Sequence, residues 1–238
     1  MTIDEVYRLV QTFANKEQRG FITPSEFNLL AKQAELELYN KRLSLIKEKS
    51  PTRRSQGIYA ENLTPELAKQ DIASFLSVSK EDIKDGSVNI ESDYIESIFT
   101  LPDDSNSMSS NIPVEIVDAK DINQILRSNL VSPSIAYPIA LMTSSQSSRG
   151  GFDLNVFPES IEMVSIYFYH YNDKQPPKWS YVTVAGKPVY DSTKSRQFVI
   201  SPRVHGEIVI KILEYLGVTI READLVQYAQ ASELKADS

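Results

Sequence analysis

The chain has 238 residues, of which 41% are hydrophobic and 24% charged, and a formal net charge of -7. This is enough to build one large domain or two small ones around a real core, and the lack of cysteine excludes a disulfide framework and a thiolate metal site. The acidic excess sits in residues 80–104, where Glu81, Asp82, Asp85, Glu91, Asp93, Glu96, Asp103 and Asp104 face only Lys80 and Lys84, which argues against nucleic-acid binding along the whole surface.

The first predicted element is a helix over residues 2–18. Thr2-Ile3-Asp4-Glu5 is a capping box, Val6, Leu9, Val10, Phe13 and Ala14 follow at helical spacing, and Gly20 supplies a stop. The acidic, amphipathic start also argues against an ordinary secretory signal. Thr23-Pro24-Ser25-Glu26 then opens a second helix, expected over about Pro24–Lys49. Such a helix is about 37 Å long. Its stripe of Phe27, Leu30, Ala31, Ala34, Leu38 and Leu45 is flanked by Leu36, Tyr39, Leu43 and Ile46, so it has apolar surface for more than one neighbour.

Residues 50–62 read as a loop, and Thr64-Pro65-Glu66-Leu67 restarts a helix. From Asn111 the pattern changes. Pro113–Val117 reads as a strand, Asp118–Asp121 as the cap of a short helix, and Ile135–Met142 as a strand that Pro138 places at an edge or bulge. Residues 144–151 form a serine- and glycine-rich connection. Ile161–Tyr171 is the strongest strand pattern, and a long turn should carry it as a hairpin into Trp179–Val184. Ser201-Pro202 opens a C-terminal helix that Gly217 stops, and Thr219-Ile220-Arg221-Glu222 caps another.

The expected fold class is α+β: a helical bundle formed by the N- and C-terminal helices with a β-rich central insertion. The bundle would comprise residues 1–80 and 201–232, the β-rich domain 81–200, and a flexible tail 233–238.

Catalytic signatures are missing from the sequence. His170 and His205 lack the company that a metal site requires. There is no Gly-x-Ser-x-Gly elbow, P-loop or dinucleotide-binding glycine motif. The acidic pairs Asp103-Asp104 and Asp93/Glu96 are the candidates for glycosidase acids or a calcium site, but Asp82-x-x-Asp85-Gly86 lacks the one-apart ligand rhythm and closing glutamate of a calcium loop, and the acidic residues read as a solvated face. No catalytic, metal or cofactor-binding residue is therefore assigned. The surface that stands out is the alternation of Tyr167, Tyr169 and Tyr171 along one strand face. It fits a sheet face covered by helices, a protein interface or a stacking platform. The expected interface residues are these tyrosines, Trp179, and the Leu36, Tyr39 and Leu43 flank.

Two stretches carry a family resemblance: Phe13-Ala14-Asn15-Lys16-Glu17-Gln18-Arg19-Gly20-Phe21-Ile22-Thr23-Pro24-Ser25-Glu26-Phe27-Asn28 and Val199-Ile200-Ser201-Pro202-Arg203-Val204-His205-Gly206-Glu207-Ile208. They resemble a virion structural protein of crAss-like tailed phages infecting Bacteroidetes. In size and helix–sheet–helix order the chain is similar to the head-to-tail connector, or ring, proteins. The resemblance implies a non-enzymatic neck or tail subunit, assembled in the host cytoplasm without a cofactor or membrane. Its partners would be itself in a cyclic ring, the portal and other connector or tail proteins. Genomic DNA would pass through the channel without specific binding, past acidic surface that repels phosphate. Two alternatives remain: a capsid auxiliary or cargo virion protein, and a carbohydrate-active enzyme using an acidic pair.

Overall fold

The structure, a computed structural model, describes residues 1–16, 22–47, 63–83, 86–101, 111–145, 151–184 and 186–217. The expected Gly20 stop, the 50–62 loop, the Asp103-Asp104 pair, the helix opened by Thr219 and the C-terminal tail lie outside these residues. Two compact units emerge. One combines residues 1–74 with 172–238, and the other is Phe75–Tyr171.

The first unit contains α1 (Ile3–Lys16), α2 (Pro24–Lys47), α3 (Leu63–Asp71) and α5 (His205–Tyr215), together with a two-stranded hairpin of β9 (Tyr181–Val184) and β10 (Lys187–Tyr190). Both expected capping boxes form. The Thr2 N–H donates to Glu5 Oε2 at 2.9 Å and the Glu5 N–H to Thr2 Oγ1 at 3.3 Å. Thr23 and Glu26 repeat the exchange at 2.9 and 3.3 Å, and the Thr23 hydroxyl, donating to Glu26 Oε2 at 2.7 Å, together with the Thr23 N–H holds the Glu26 carboxyl below its ordinary pKa. α2 packs on α3 and α5, and α1 packs on α5. Val6, Val10, Phe27, Ala31, Leu38, Ile208 and Ile212 are all buried.

The second unit is a β-sandwich with a small helix, α4 (Ile122–Arg127). One sheet has the order β1 (Leu76–Asp82), β8 (Met163–Tyr169), β3 (Tyr94–Thr100), β4 (Ile112–Pro113). The other has β2 (Ser87–Ile90), β7 (Phe152–Phe157), β6 (Ile139–Ser144), β5 (Glu115–Val117). First pairs with last and second with next-to-last, so the chain is wrapped as in a double-sheet roll. Ile98, Val164 and Ile166 from one sheet meet Val88, Ile90, Leu154 and Val156 from the other in a common core.

The expected helical bundle with a β-rich central insertion is corrected by these sheets. Among the described residues the strands form three sheets, one of them in the same unit as the terminal helices. The physical reason lies in residues 172–200, whose Trp179, Phe198 and Ile200 are buried in that unit. The expected hairpin between Ile161–Tyr171 and Trp179–Val184 does not form: β8 pairs with β1 and β3, and β9 with β10. The strand expected at Pro113–Val117 is divided between the two sheets of the sandwich. The N–H of buried Val114 donates to Ile98 O at 2.9 Å, and that of Glu115 to Pro138 O at 3.1 Å. Pro138 precedes β6, an inner strand, so it marks a strand start rather than an edge. The four residues before it, Ser134–Tyr137, make a tight reverse turn.

Candidate assembly surfaces

Along β8, Val164, Ile166 and Phe168 face the sandwich core, leaving Tyr167 and Tyr169 on the opposite face. Tyr169 is buried and stacks on Tyr94 at 6.4 Å between ring centroids. Tyr171, just beyond the strand, is buried against Phe75 at 5.7 Å. Tyr167 is half-buried and meets Phe99 edge-on. On α2, Tyr39 and Leu43 are buried and Leu36 is half-buried.

Trp179 is 3% exposed. Its ring lies 4.2 Å from Tyr7, 5.8 Å from Tyr181 and 5.9 Å from Tyr190, and its indole N–H donates to Asp4 Oδ1 at 3.0 Å. It anchors the base of the β9–β10 hairpin to α1. Of the residues singled out from sequence, Leu36 and Tyr167 therefore keep partial access to solvent, and the others are committed to the chain's own interior.

Exposed apolar side chains lie elsewhere, singly as at Leu29 on α2 and in three groups. On the hairpin, Val182, Val184 and Val189 share one face, with Val184 55% exposed. On β1, Leu76 and Val78 face solvent, with Val78 53% exposed, and Met163 on β8 lies on the same face. Around the turn before β6, Val131, Ile135 and Tyr137 are exposed and Leu130 is 98% exposed. Sequence periodicity does not find these patches, because alternation marks a strand without saying which faces stay uncovered. Gly186, just before β10, has a φ of +80°, a conformation that glycine adopts without strain.

The ionisable groups with well-defined surroundings are engaged in holding the fold. The His205 ring nitrogens face the carbonyls of Met1 at 2.7 Å and Ile200 at 3.2 Å, and burial pulls its pKa below the usual value. Glu35, buried on α2, accepts the N–H groups of Val199 at 2.6 Å and Ile200 at 3.2 Å. Sequence reasoning passed over Glu35 because it sits among other charged residues of a long helix.

Arg42 donates to Asp71 at 2.9 Å and also pairs with Glu207. Burial opposes its charge, but these two partners outweigh burial and raise its pKa. Glu37 on α2 joins Lys211 at 2.7 Å and also accepts from Tyr215, whose pKa burial and that carboxylate push up to about 12. Asp93, half of an acidic pair considered above, accepts the Tyr171 N–H at 2.7 Å.

Among the described residues no three His, Asp or Glu side chains are grouped to hold a metal ion, and no helix is long and apolar enough to cross a membrane. No protein-family model matches the sequence, and no characterised protein matches it.

Proposed function

We propose that this chain is a non-enzymatic virion structural protein, a subunit of the head-to-tail connector that joins portal and tail in a tailed phage. The observation that carries the reading is where the exposed apolar surface lies: on ordered strands of both units, at β1 and β9–β10. Two different patches on one chain are what a heterologous interface needs, and such an interface closes into a ring when its rotation allows. The phage setting itself comes from the resemblance of residues 13–28 and 199–208. The partners in this reading are further copies of the chain, the portal and neighbouring connector or tail proteins, with genomic DNA passing through the channel without specific binding.

The test is quantitative mass spectrometry on purified particles separated into capsid and neck–tail fractions. Recovery with the portal at a similar copy number is the expected result. Recovery with the capsid at high copy makes the chain a shell auxiliary instead, and absence from particles overturns the virion reading.

A further inference from the structure

We infer that β9 of one copy adds to the free edge of β1 in a second copy, so that the hairpin of one subunit extends the sandwich of the next. The inference rests on the self-assembly in the function proposed above, and names the two surfaces that meet.

The backbone comes first. Among the described residues β1 pairs only with β8, and its register is bracketed by two hydrogen bonds: His170 N–H to Phe75 O at 3.2 Å, and Ile83 N–H to Glu162 O at 2.7 Å. Antiparallel partners alternate between bonded and non-bonded pairs. Residues 75, 77, 79, 81 and 83 therefore turn their polar groups toward β8. Leu76, Val78 and Lys80 turn theirs outward, to an edge with no partner among the described residues. The stretch Leu76–Ser79 carries no charge and no proline, so the charges that protect an exposed edge stand only at its far end, Lys80–Asp82.

The hairpin has the complementary asymmetry. The Asp191 N–H donates to Ser180 O at 2.9 Å, which sets the same alternation for β9 and β10. Tyr181 and Thr183 then present their N–H and C=O groups on the outer edge of β9. On β10 the outward position opposite Thr183 is Pro188, which has no N–H to give. The hairpin thus has one edge able to extend a sheet and one edge blunted. A two-stranded ribbon is marginal in water by itself, and this one leaves its valine face exposed.

Charge selects the partner. Around the hairpin the exposed cations Lys174, Lys178, Lys194 and Arg196 outnumber the carboxylates Asp173 and Asp191. At the far end of β1, Asp82 and neighbouring Glu162 are exposed and Glu81 is half-buried, with Lys80 the single cation there among the described residues. A basic hairpin and an acidic sandwich edge on the same chain attract between copies and repel hairpin from hairpin. The partner that supplies both an open apolar edge and the opposite charge is therefore a second copy of this chain.

The natural chain has no cysteine, so Val78→Cys and Thr183→Cys each introduce one thiol. Purified full-length variants are treated with a short bis-maleimide, separately and as a mixture. Cross-linked dimer in the mixture and none in either variant alone is the expected result, because each contact then joins unlike edges. Thr183→Pro removes the outward donor and is expected to abolish association, with circular dichroism unchanged. Light scattering of the unmodified chain gives a readout that needs no variant, since the assembly should weaken as salt rises from about 0.05 to 0.5 M. Assembly without cross-linking in the mixture overturns the edge pairing and leaves the connector reading standing. A chain that stays monomeric at all concentrations and salts overturns the inference, whereas absence from particles overturns the connector reading even if the edges pair.

Discussion

Asn28 and Trp179 exchange two hydrogen bonds: the Asn28 amide N–H donates to the Trp179 carbonyl at 3.0 Å, and the Trp179 N–H donates to Asn28 Oδ1 at 2.6 Å. The side-chain amide of α2 stands in for a strand partner at the base of the hairpin. Replacing Asn28 by Ala leaves the backbone of buried Trp179 unpaired, at a cost of about 1–3 kcal/mol. Asn28→Asp keeps the acceptor and loses the donor, so it should fall between Ala and the natural residue in urea denaturation.

Glu35 secures the segment leading into α5 by accepting two backbone N–H groups, those of Val199 and Ile200. Glu35→Gln retains an acceptor oxygen and is expected to fold. Glu35→Leu strips both donors of that partner in the interior and should lower stability by about 2–4 kcal/mol. Comparison of denaturation midpoints separates the two, and equal midpoints would show that the carboxylate carries no weight.

Arg42 joins three helices through Asp71 on α3 and Glu207 on α5. Arg42→Met leaves the Asp71 carboxylate, whose side chain is 11% exposed, without that cation, and is expected to cost about 3–5 kcal/mol. The double change Arg42→Met with Asp71→Leu removes the stranded charge and should recover much of the loss. Thermal melts of the two variants decide it: a double variant no more stable than the single one contradicts the ion-pair account.

His205 has a folded-state pKa below the usual histidine value, with burial as the main cause. Its unfolded form therefore binds a proton more readily than its folded form. Stability is full above pH 6.5 and falls as the solution is acidified through the interval between the two pKa values, below which the loss levels off. Urea midpoints measured across that range should decline in the natural chain and flatten in His205→Asn. An unchanged slope in the variant would assign the acid sensitivity to another group.

Gly151 opens β7 with a φ of +113°, and a Cβ built there would lie 2.4 Å from the Ile90 carbonyl oxygen. Both strain and overlap oppose any side chain. Gly151→Ala is expected to open the β2–β7 pairing, seen as faster amide exchange at Val88 and Ile90 than in the natural chain.

Helix starts were the most legible part of the fold. The Thr2 and Thr23 boxes form because their donors and acceptors are neighbours in sequence, three residues apart. Strand pairing was least legible. The hydrophobic alternation of β8 marks it as a strand, but its partners lie at residues 76–82 and 94–100, and no local signal names them. The same limit applies to the surfaces: Tyr169 and Trp179 look like interface residues by type, yet tertiary neighbours bury them. Val78 and Val184 look like ordinary strand residues and remain exposed.

The insertion of Phe75–Tyr171 between the two halves of the helical unit has a consequence for synthesis. The sandwich is continuous in sequence, so every strand it needs has been made once Tyr171 has left the ribosome. The helical unit ties its first residue to its second segment, through the Met1 carbonyl and His205. A ribosome-stalled nascent chain ending a few dozen residues past Tyr171 should therefore protect residues 75–171 from protease while α1 and α2 are still cleaved. The inserted sandwich is the first unit of the protein whose sequence is complete.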